Sequence, residues 1–276
     1  MGFDYEYLTR EEMAGRKGLF RIDHDDYHAG PGVSSSQIKA LLKSPAHSQV
    51  QIEQTPAMEF GTAFHTAILE PELFADTYVV MSKFDRRTKQ GKVDYAEWME
   101  ANEGKSFITE DEQQALLAMQ AAVGRSKYWQ RVKSYDREVS ALTTHKETGL
   151  FLKCKPDMLG DMIIDFKTTR DASPSAFFRS LYSEPFLYGV SAAFYTDIVA
   201  DVTGRTLPFV FCAVEKSPPY GVAWYEMKPA GYEEAARKYQ WALRRWAECE
   251  QKNEWPSYPD EIVQLEPPAY FFKEME

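Results

Sequence analysis

Residues 151–168 read FLKCKPDMLGDMIIDFKT, and Asp157, Asp165 and Lys167 sit within runs that otherwise read as two short strands joined by a turn. Asp165 and Lys167 are two positions apart, so on a strand they point to one face. Ile164 and Phe166 then point to the other face, where a core can take them. Asp161 falls in the turn itself, an ordinary place for an aspartate. With the turn centred on residues 159–161, Asp157 stands almost opposite Ile163, and Asp165 is its diagonal neighbour on the same face, about 7–8 Å away. Two carboxylates converging from that separation can share one cation, and oxygen ligands at about 2.1 Å suit Mg²⁺. Such a cation makes hydroxide available near neutral pH, and an ammonium beside it can position that nucleophile or offset charge on a phosphate. The set fits metal-assisted phosphodiester hydrolysis. A solvated hairpin with an Asp165–Lys167 ion pair accounts for the tripeptide equally well, since surface pairs of this sort are common and weak. Paired carboxylates also serve glycosidases, although Lys167 has no part in that chemistry.

The flanking segments must hold these groups in place. In PGVSSSQIKALLKSP, Ser34, Ser35 or Ser36 can cap a short helix with Ile38, Leu41 and Leu42 as its apolar positions, ended by Pro45. AMEFGTAFHTAILEP reads as a second helix stopped by Pro71, and residues 77–81 as a strand. KFDRRTKQGK (83–92), with five basic residues and one acid, reads as a mobile loop. Thr109 and Glu112 form a capping-box pattern ahead of a helix running to about residue 123. Strands are expected over 137–144, 149–157 and 162–169. Ser173-Pro174 then supplies a cap and a first-turn proline for a helix. A longer helix over about 186–202, strands over 206–216 and 220–227, and an amphipathic helix from Gly231 follow. This order predicts an α/β chain, a mixed sheet with helices on its faces. One domain is expected over 1–276, with an N-terminal helical part to about residue 75 and an irregular, proline-rich tail over about 256–276.

With a formal net charge of −10, the chain is not one that coats nucleic acid or anionic membrane with its whole surface, although a basic groove within an acidic exterior is compatible with it. No run of 18 apolar residues exists, the first residues do not read as a signal peptide, and Cys154, Cys212 and Cys249 lack the spacing of a zinc or disulfide framework. A cytoplasmic protein without a membrane partner is expected.

Taken together and in order, several segments resemble the PD-(D/E)xK nuclease superfamily in its RecB-like branch, and within it the RecE-like prophage exonucleases (exonuclease VIII). KPDMLG…IIDFKTT resembles the signature itself, and YHAGPGVSSSQIKALLKSP the N-terminal motif. FGTAFHTAILEP resembles the helix carrying a metal-ligating histidine, and REVSALTT a strand entering the core, with Glu138 at a commonly acidic position. TTRDASPSAFFRSL, LYGVSAAFYTD and FCAVEKSPPYGVAWYEM resemble the later segments, so the likeness covers roughly residues 27–230. It implies a restriction-endonuclease-like core with a mixed central sheet. It assigns His65, Asp157 and Asp165 to a Mg²⁺ or Mn²⁺ ion, and Asp157, Asp165, Lys167, Tyr195 and Glu138 to catalysis. A lone histidine in an apolar helix is otherwise ordinarily a core residue, and Tyr188 is read as core. Arg86, Arg87, Lys89, Lys92, Arg170 and Ser191 are the residues expected to meet DNA, with Lys83 in the same stretch. In the family's Gln-x-x-x-Tyr motif Tyr195 is present, but Ser191 stands where the family has glutamine. The resemblance implies a hydrolase acting in DNA recombination, which degrades linear double-stranded DNA 5′ to 3′ and leaves 3′ single-stranded tails. It further implies a homo-oligomer, in ring form, and a RecT-like annealing partner. A structure-specific endonuclease of the same superfamily and a catalytically weakened DNA-binding relative are the alternatives.

Overall fold

The structure, a computed structural model, describes residues 5–51 and 53–267. The expected irregular tail is therefore described only to residue 267, with no helix or strand beyond Lys252; residues 268–276 lie outside the described residues.

The chain begins with a 3₁₀ turn (Arg10–Glu12) and a short strand, β1 (Gly18–Phe20). Five helices follow: α1 (His24–Ala29), α2 (Ser35–Lys43), α3 (Pro45–Ser48), α4 (Pro56–Leu69) and α5 (Pro71–Thr77). An insert of β2 (Tyr78–Val80), α6 (Lys89–Ala101) and β3 (Ser106–Ile108) leads into α7 (Glu110–Gly124) and α8 (Lys127–Val132). The strands β4 (Asp136–Arg137), β5 (Ser140–Thr144), β6 (Phe151–Cys154), β7 (Met158–Leu159) and β8 (Ile163–Thr169) come next. Then come α9 (Pro174–Tyr182), α10 (Tyr188–Thr203), β9 (Phe209–Glu215), β10 (Val222–Glu226) and α11 (Pro229–Lys252).

Caps explain several of these starts. Ser34 and Gln37 form a capping box on α2, and Thr109 and Glu112 one on α7. Ser173 caps α9 by accepting from the Ala176 N–H, with Pro174 in the first turn where no N–H is needed.

The central sheet runs β10-β9-β8-β7-β4 and is mixed, because β8 and β9 are parallel while the other pairs are antiparallel. A parallel pair needs a long crossover, and α9 and α10 provide it. Helices cover both faces. Ile164, Phe166, Val210 and Cys212 pack with Phe64 of α4 and Leu116 and Met119 of α7. Ile163, Phe209, Phe211 and Ala213 pack with Val190 and Phe194 of α10 and Leu243 of α11. Asp165 and Lys167 alternate with Ile164 and Phe166, so they belong to the α10 side. This is the PD-(D/E)xK core that the sequence predicts.

Four local readings are corrected. The segment 137–144 is not one strand: it breaks at Glu138, which adopts a positive φ of 52°, so β4 joins the central sheet and β5 joins a separate antiparallel sheet β1-β5-β6. The hairpin of 149–169 is split in the same way, with β6 pairing β5 and only β7 pairing β8. Its register also differs by two residues from expectation. Met158 pairs Ile164 and Leu159 pairs Ile163, which sets Asp157 opposite Asp165 rather than opposite Ile163. A shift of two preserves the face of every side chain, whereas a shift of one would have reversed it. Finally, 83–92 is not wholly a loop: Lys89 and Lys92 lie in the first turn of α6, capped by Thr88.

Candidate active site

Asp157 lies where β6 has left one sheet and β7 enters the other. Ile163 donates its N–H to Pro208 on the β9 side, so by alternation the N–H groups of Ile164 and Phe166 point toward β7. The β7–β8 ladder ends at Met158, and the Asp157 side chain takes over: its Oδ2 accepts from the Phe166 N–H at 2.6 Å. One carboxylate oxygen is therefore fixed by backbone. The other, Oδ1, lies 3.3 Å from Nδ1 of His65, which α4 brings in.

Across the register, Asp165 Oδ2 forms a close ion pair with Lys167 Nζ. This oxygen is buried and takes no well-aligned hydrogen bond. Asp157 and Asp165 are both only 7% exposed, which makes their ionisation depend on each other and on the cations nearby. Burial works against an ionised Asp157, yet His65, Lys167 and the Phe166 N–H outweigh it and hold its carboxyl below the ordinary range. For Asp165, burial together with the Asp157 charge overcomes Lys167 and moves it up. Burial disfavours a charged Lys167, but Asp165 and Asp157 more than compensate and push its ammonium well up. His65 is moved up as well: burial opposes its charge, and Asp157 outweighs burial.

Glu138 reaches the same place through the backbone kink. Its N–H donates to the Asp157 carbonyl at 3.1 Å, and its Oε2 lies 3.9 Å from Lys155 Nζ. Burial first, and the Asp157 charge second, push its carboxyl up to about 7. A non-glycine residue at positive φ is strained, and such strain persists where the surroundings over-determine it. Here the Glu138–Asp157 backbone bond and the two sheets on either side do so.

The residues present fit a divalent cation in one respect. Two ligand atoms on adjacent corners of an octahedron with bonds of about 2.1 Å are about 3.0 Å apart, close to the 3.3 Å between His65 Nδ1 and Asp157 Oδ1. The chemistry of the set, one imidazole nitrogen and carboxylate oxygens, suits Mg²⁺ or Mn²⁺. Asp165, the third expected ligand, faces Lys167 instead, and among the described residues no group of three or more His, Cys, Asp or Glu stands as a metal cage.

The remaining expected residues are scattered. Tyr195 lines a cavity of about 520 Å³ together with Ser34, Ser35, Ser36 and Lys153. Ser191, on the same helix, makes no side-chain hydrogen bond among the described residues. Arg170 is exposed just beyond β8. Arg86 stacks over Tyr95 at 4.3 Å, and Arg87 pairs with Asp85 at 2.9 Å. Lys83, Arg86, Arg87 and Lys92 line another cavity, of about 1,050 Å³, whose lining includes none of His65, Asp157, Asp165 and Lys167. Lys89 is exposed at the start of α6.

Two residues that the sequence did not assign to the site stand beside Lys167. Tyr188, read as core, does pack on Phe177 and Phe211, but its ring also lies 5.3 Å from Lys167 Nζ. Lys39, on α2, has its Nζ 5.7 Å from the same ring. Neither is recognisable from spacing, because Lys39 is far from Lys167 along the chain; a lysine on the inward side of an apolar helix stripe, one step after Ile38, was the one available signal.

Comparison with known proteins bears on the family and the fold. A family model described as "PDDEXK-like domain of unknown function (DUF3799)" matches residues 34–266. No curated protein matches the chain. A candidate exonuclease from Eubacterium rectale, known from its crystal structure, shares 16% identity and superposes with a TM-score of 0.61, covering 91% of this chain and 97% of its own. That likeness concerns the fold. An alkaline exonuclease from Laribacter hongkongensis shares 17% identity over 69% of this chain and 91% of its own, at a TM-score of 0.28, too low to carry a structural argument. No helix among the described residues is long and apolar enough to cross a membrane.

Proposed function

The chain belongs to the PDDEXK-like family DUF3799, and from that premise we propose that it is a metal-dependent deoxyribonuclease that digests linear double-stranded DNA from an end. The observation that carries the proposal is the convergence of four groups from α4, the β6–β7 junction and β8: the His65–Asp157 contact and, directly across the register, the Asp165–Lys167 pair. A surface hairpin would need none of this burial. The fold it shares with the Eubacterium rectale protein, itself described as a candidate exonuclease, supports the same reading.

His65 and Asp157 would hold the cation, with Asp165, which here faces Lys167, as the third expected ligand. When bound, the ion supplies positive charge at the scissile phosphate and lowers the pKa of a water. The chain's own groups do the rest. The Phe166 N–H locks Asp157 in one orientation, which keeps Oδ1 aimed at His65. Lys167 stays charged through neutral pH because Asp165 and Asp157 hold its proton; it orients the attacking water and offsets charge that gathers on the phosphate oxygens. Glu138, raised to about 7, lies in the range where a general base operates best at neutral pH. The proposal extends to 5′ to 3′ polarity, to 3′ tails used in recombination, to assembly of several copies around the duplex and to an annealing partner.

The test is digestion of 5′-labelled and 3′-labelled linear duplex and of closed circular DNA, with Mg²⁺ or Mn²⁺, by the natural protein and by Lys167→Ala. Stepwise loss of the 5′ label, with circles intact and the variant inactive, is expected. Cleavage of circles would move the assignment to an endonuclease. An inactive natural protein would sink the enzyme reading, and a fully active Lys167→Ala would sink the site.

A further inference from the structure

The helix α2, which packs on α10 and α11, carries a second ammonium to this centre. Lys39 is half-buried, and its Nζ and that of Lys167 approach one aromatic ring, Tyr188, at 5.7 and 5.3 Å. The ring packs against Phe177 at 6.1 Å, Phe211 at 6.2 Å and Phe186 at 5.3 Å, so both cations share one anchored aromatic neighbour. Three other lysines of this region have partners. Lys153 donates to the Tyr27 and Gly30 carbonyls, Lys155 donates to the Ile22 carbonyl and faces Glu138, and Lys167 pairs with Asp165. Among the described residues, Lys39 has no hydrogen bond and no ion pair, and its ammonium meets the Tyr188 ring.

A half-buried ammonium without an anion is costly. A like charge close by raises the cost. Burial first and the Lys167 charge second press the Lys39 ammonium down to about 8, and Asp165, already engaged by Lys167, pulls weakly the other way. The fold thus maintains an unsatisfied cation beside the pair that would meet the scissile phosphate. An anion entering between the two lysines would complete both.

We propose that Lys39 is a phosphate ligand of this site, its ammonium contacting a non-bridging oxygen of the nucleic-acid backbone phosphate seated at Lys167. The proposal rests on the nuclease reading above and adds a residue to it. Tyr188 serves as the positioning residue, the aromatic neighbour that both ammonium groups share. The entering phosphate would neutralise the repulsion between Lys39 and Lys167, so Lys39 acts in holding the strand as well as in turnover.

The test is equilibrium binding of a fluorescein-labelled linear duplex in Ca²⁺ over a range of salt concentrations, with gels confirming an intact duplex. The proteins compared are the natural chain, Lys39→Met and Lys39→Arg, each with its thermal midpoint. Losing one phosphate contact lowers the slope of log K against log salt by about 0.9. Lys39→Met is expected to show that loss, with binding roughly tenfold weaker, and a midpoint unchanged or higher because an unpaired buried charge has gone. Lys39→Arg is expected to keep the slope. An unchanged slope and affinity in Lys39→Met, with the natural chain still cutting DNA in Mg²⁺, would overturn the proposal and leave the nuclease reading intact. So would weakened binding that tracks a lowered midpoint in both variants. A natural chain that neither binds nor cuts DNA would overturn the nuclease reading, and this one with it.

Discussion

Replacing Glu138 by glutamine should stabilise the protein in the absence of divalent cations, and only above about pH 5. The carboxyl of Glu138 is raised from its ordinary 4.5 to about 7 by burial and by the Asp157 charge. The folded chain therefore keeps that proton up to about pH 7, while the unfolded chain releases it near 4.5. Between those values folding requires proton uptake, so stability falls as pH rises, and the loss is complete above pH 7. At about 1.36 kcal/mol per pK unit, the shift corresponds to a loss on the order of 3 kcal/mol. Glutamine has nearly the same shape and no charge to lose. It also keeps a Cβ at the strained φ of 52°, so the backbone cost is common to both proteins. The assay is urea unfolding in EDTA at several pH values from 5 to 8. Near pH 5 the two proteins should differ little; at pH 8 Glu138→Gln should be more stable by about 2–3 kcal/mol. Asp157 and His65 interact with Glu138, so the difference reports the Glu138 charge together with its effect on them. Saturating Mg²⁺ should shrink the advantage, because a bound cation rewards the carboxylate. Parallel stability profiles from pH 5 to 8 would refute the reasoning, since they would mean that Glu138 ionises as freely in the fold as outside it.

Asp157→Asn should keep the fold, because its amide oxygen can still accept from the Phe166 N–H. It should lower cleavage by more than the roughly 100-fold that loss of an outer-shell partner can cost, since Asp157 is a direct ligand in this reading, and weaken Mn²⁺ binding measured by calorimetry. In the same variant the His65 imidazole should titrate lower, a change that NMR can follow, because Asp157 is the group that raises it. Gly160→Ala should destabilise by about 1–3 kcal/mol, since its Cβ would meet the Tyr135 ring at 2.5 Å; thermal unfolding with no change in midpoint would count against the tight turn between β7 and β8.

Much of the scaffold could be read locally. The capping residues Ser34, Thr109 and Ser173 mark helix starts without any tertiary help. The alternation of Ile163, Asp165 and Lys167 with Ile164 and Phe166 sorts a core face from a site face on β8. The errors fell where local pattern is silent. The basic run 83–92 has few apolar residues, so nothing in it announced that α6 begins at Lys89. The segment 137–144 looks like one strand, because side-chain type does not reveal that Glu138 turns to positive φ and sends its neighbours into two sheets.

What the sequence determined is the face on which each group lies. The period of two fixes Asp165 and Lys167 together, and it survives a register shift of two, so Asp157 met Asp165 although its expected partner was Ile163. What the tertiary structure decided is which distant groups converge there. His65 from α4, Lys39 from α2 and Tyr188 from α10 reach β8 through packing of helices on opposite faces of one sheet, and no spacing along the chain encodes that. The ionisation of the site was decided at the same level. Charges such as those of Asp165 and Glu138 are shifted by burial and by neighbours far along the chain, and both exist only once the fold has closed around them.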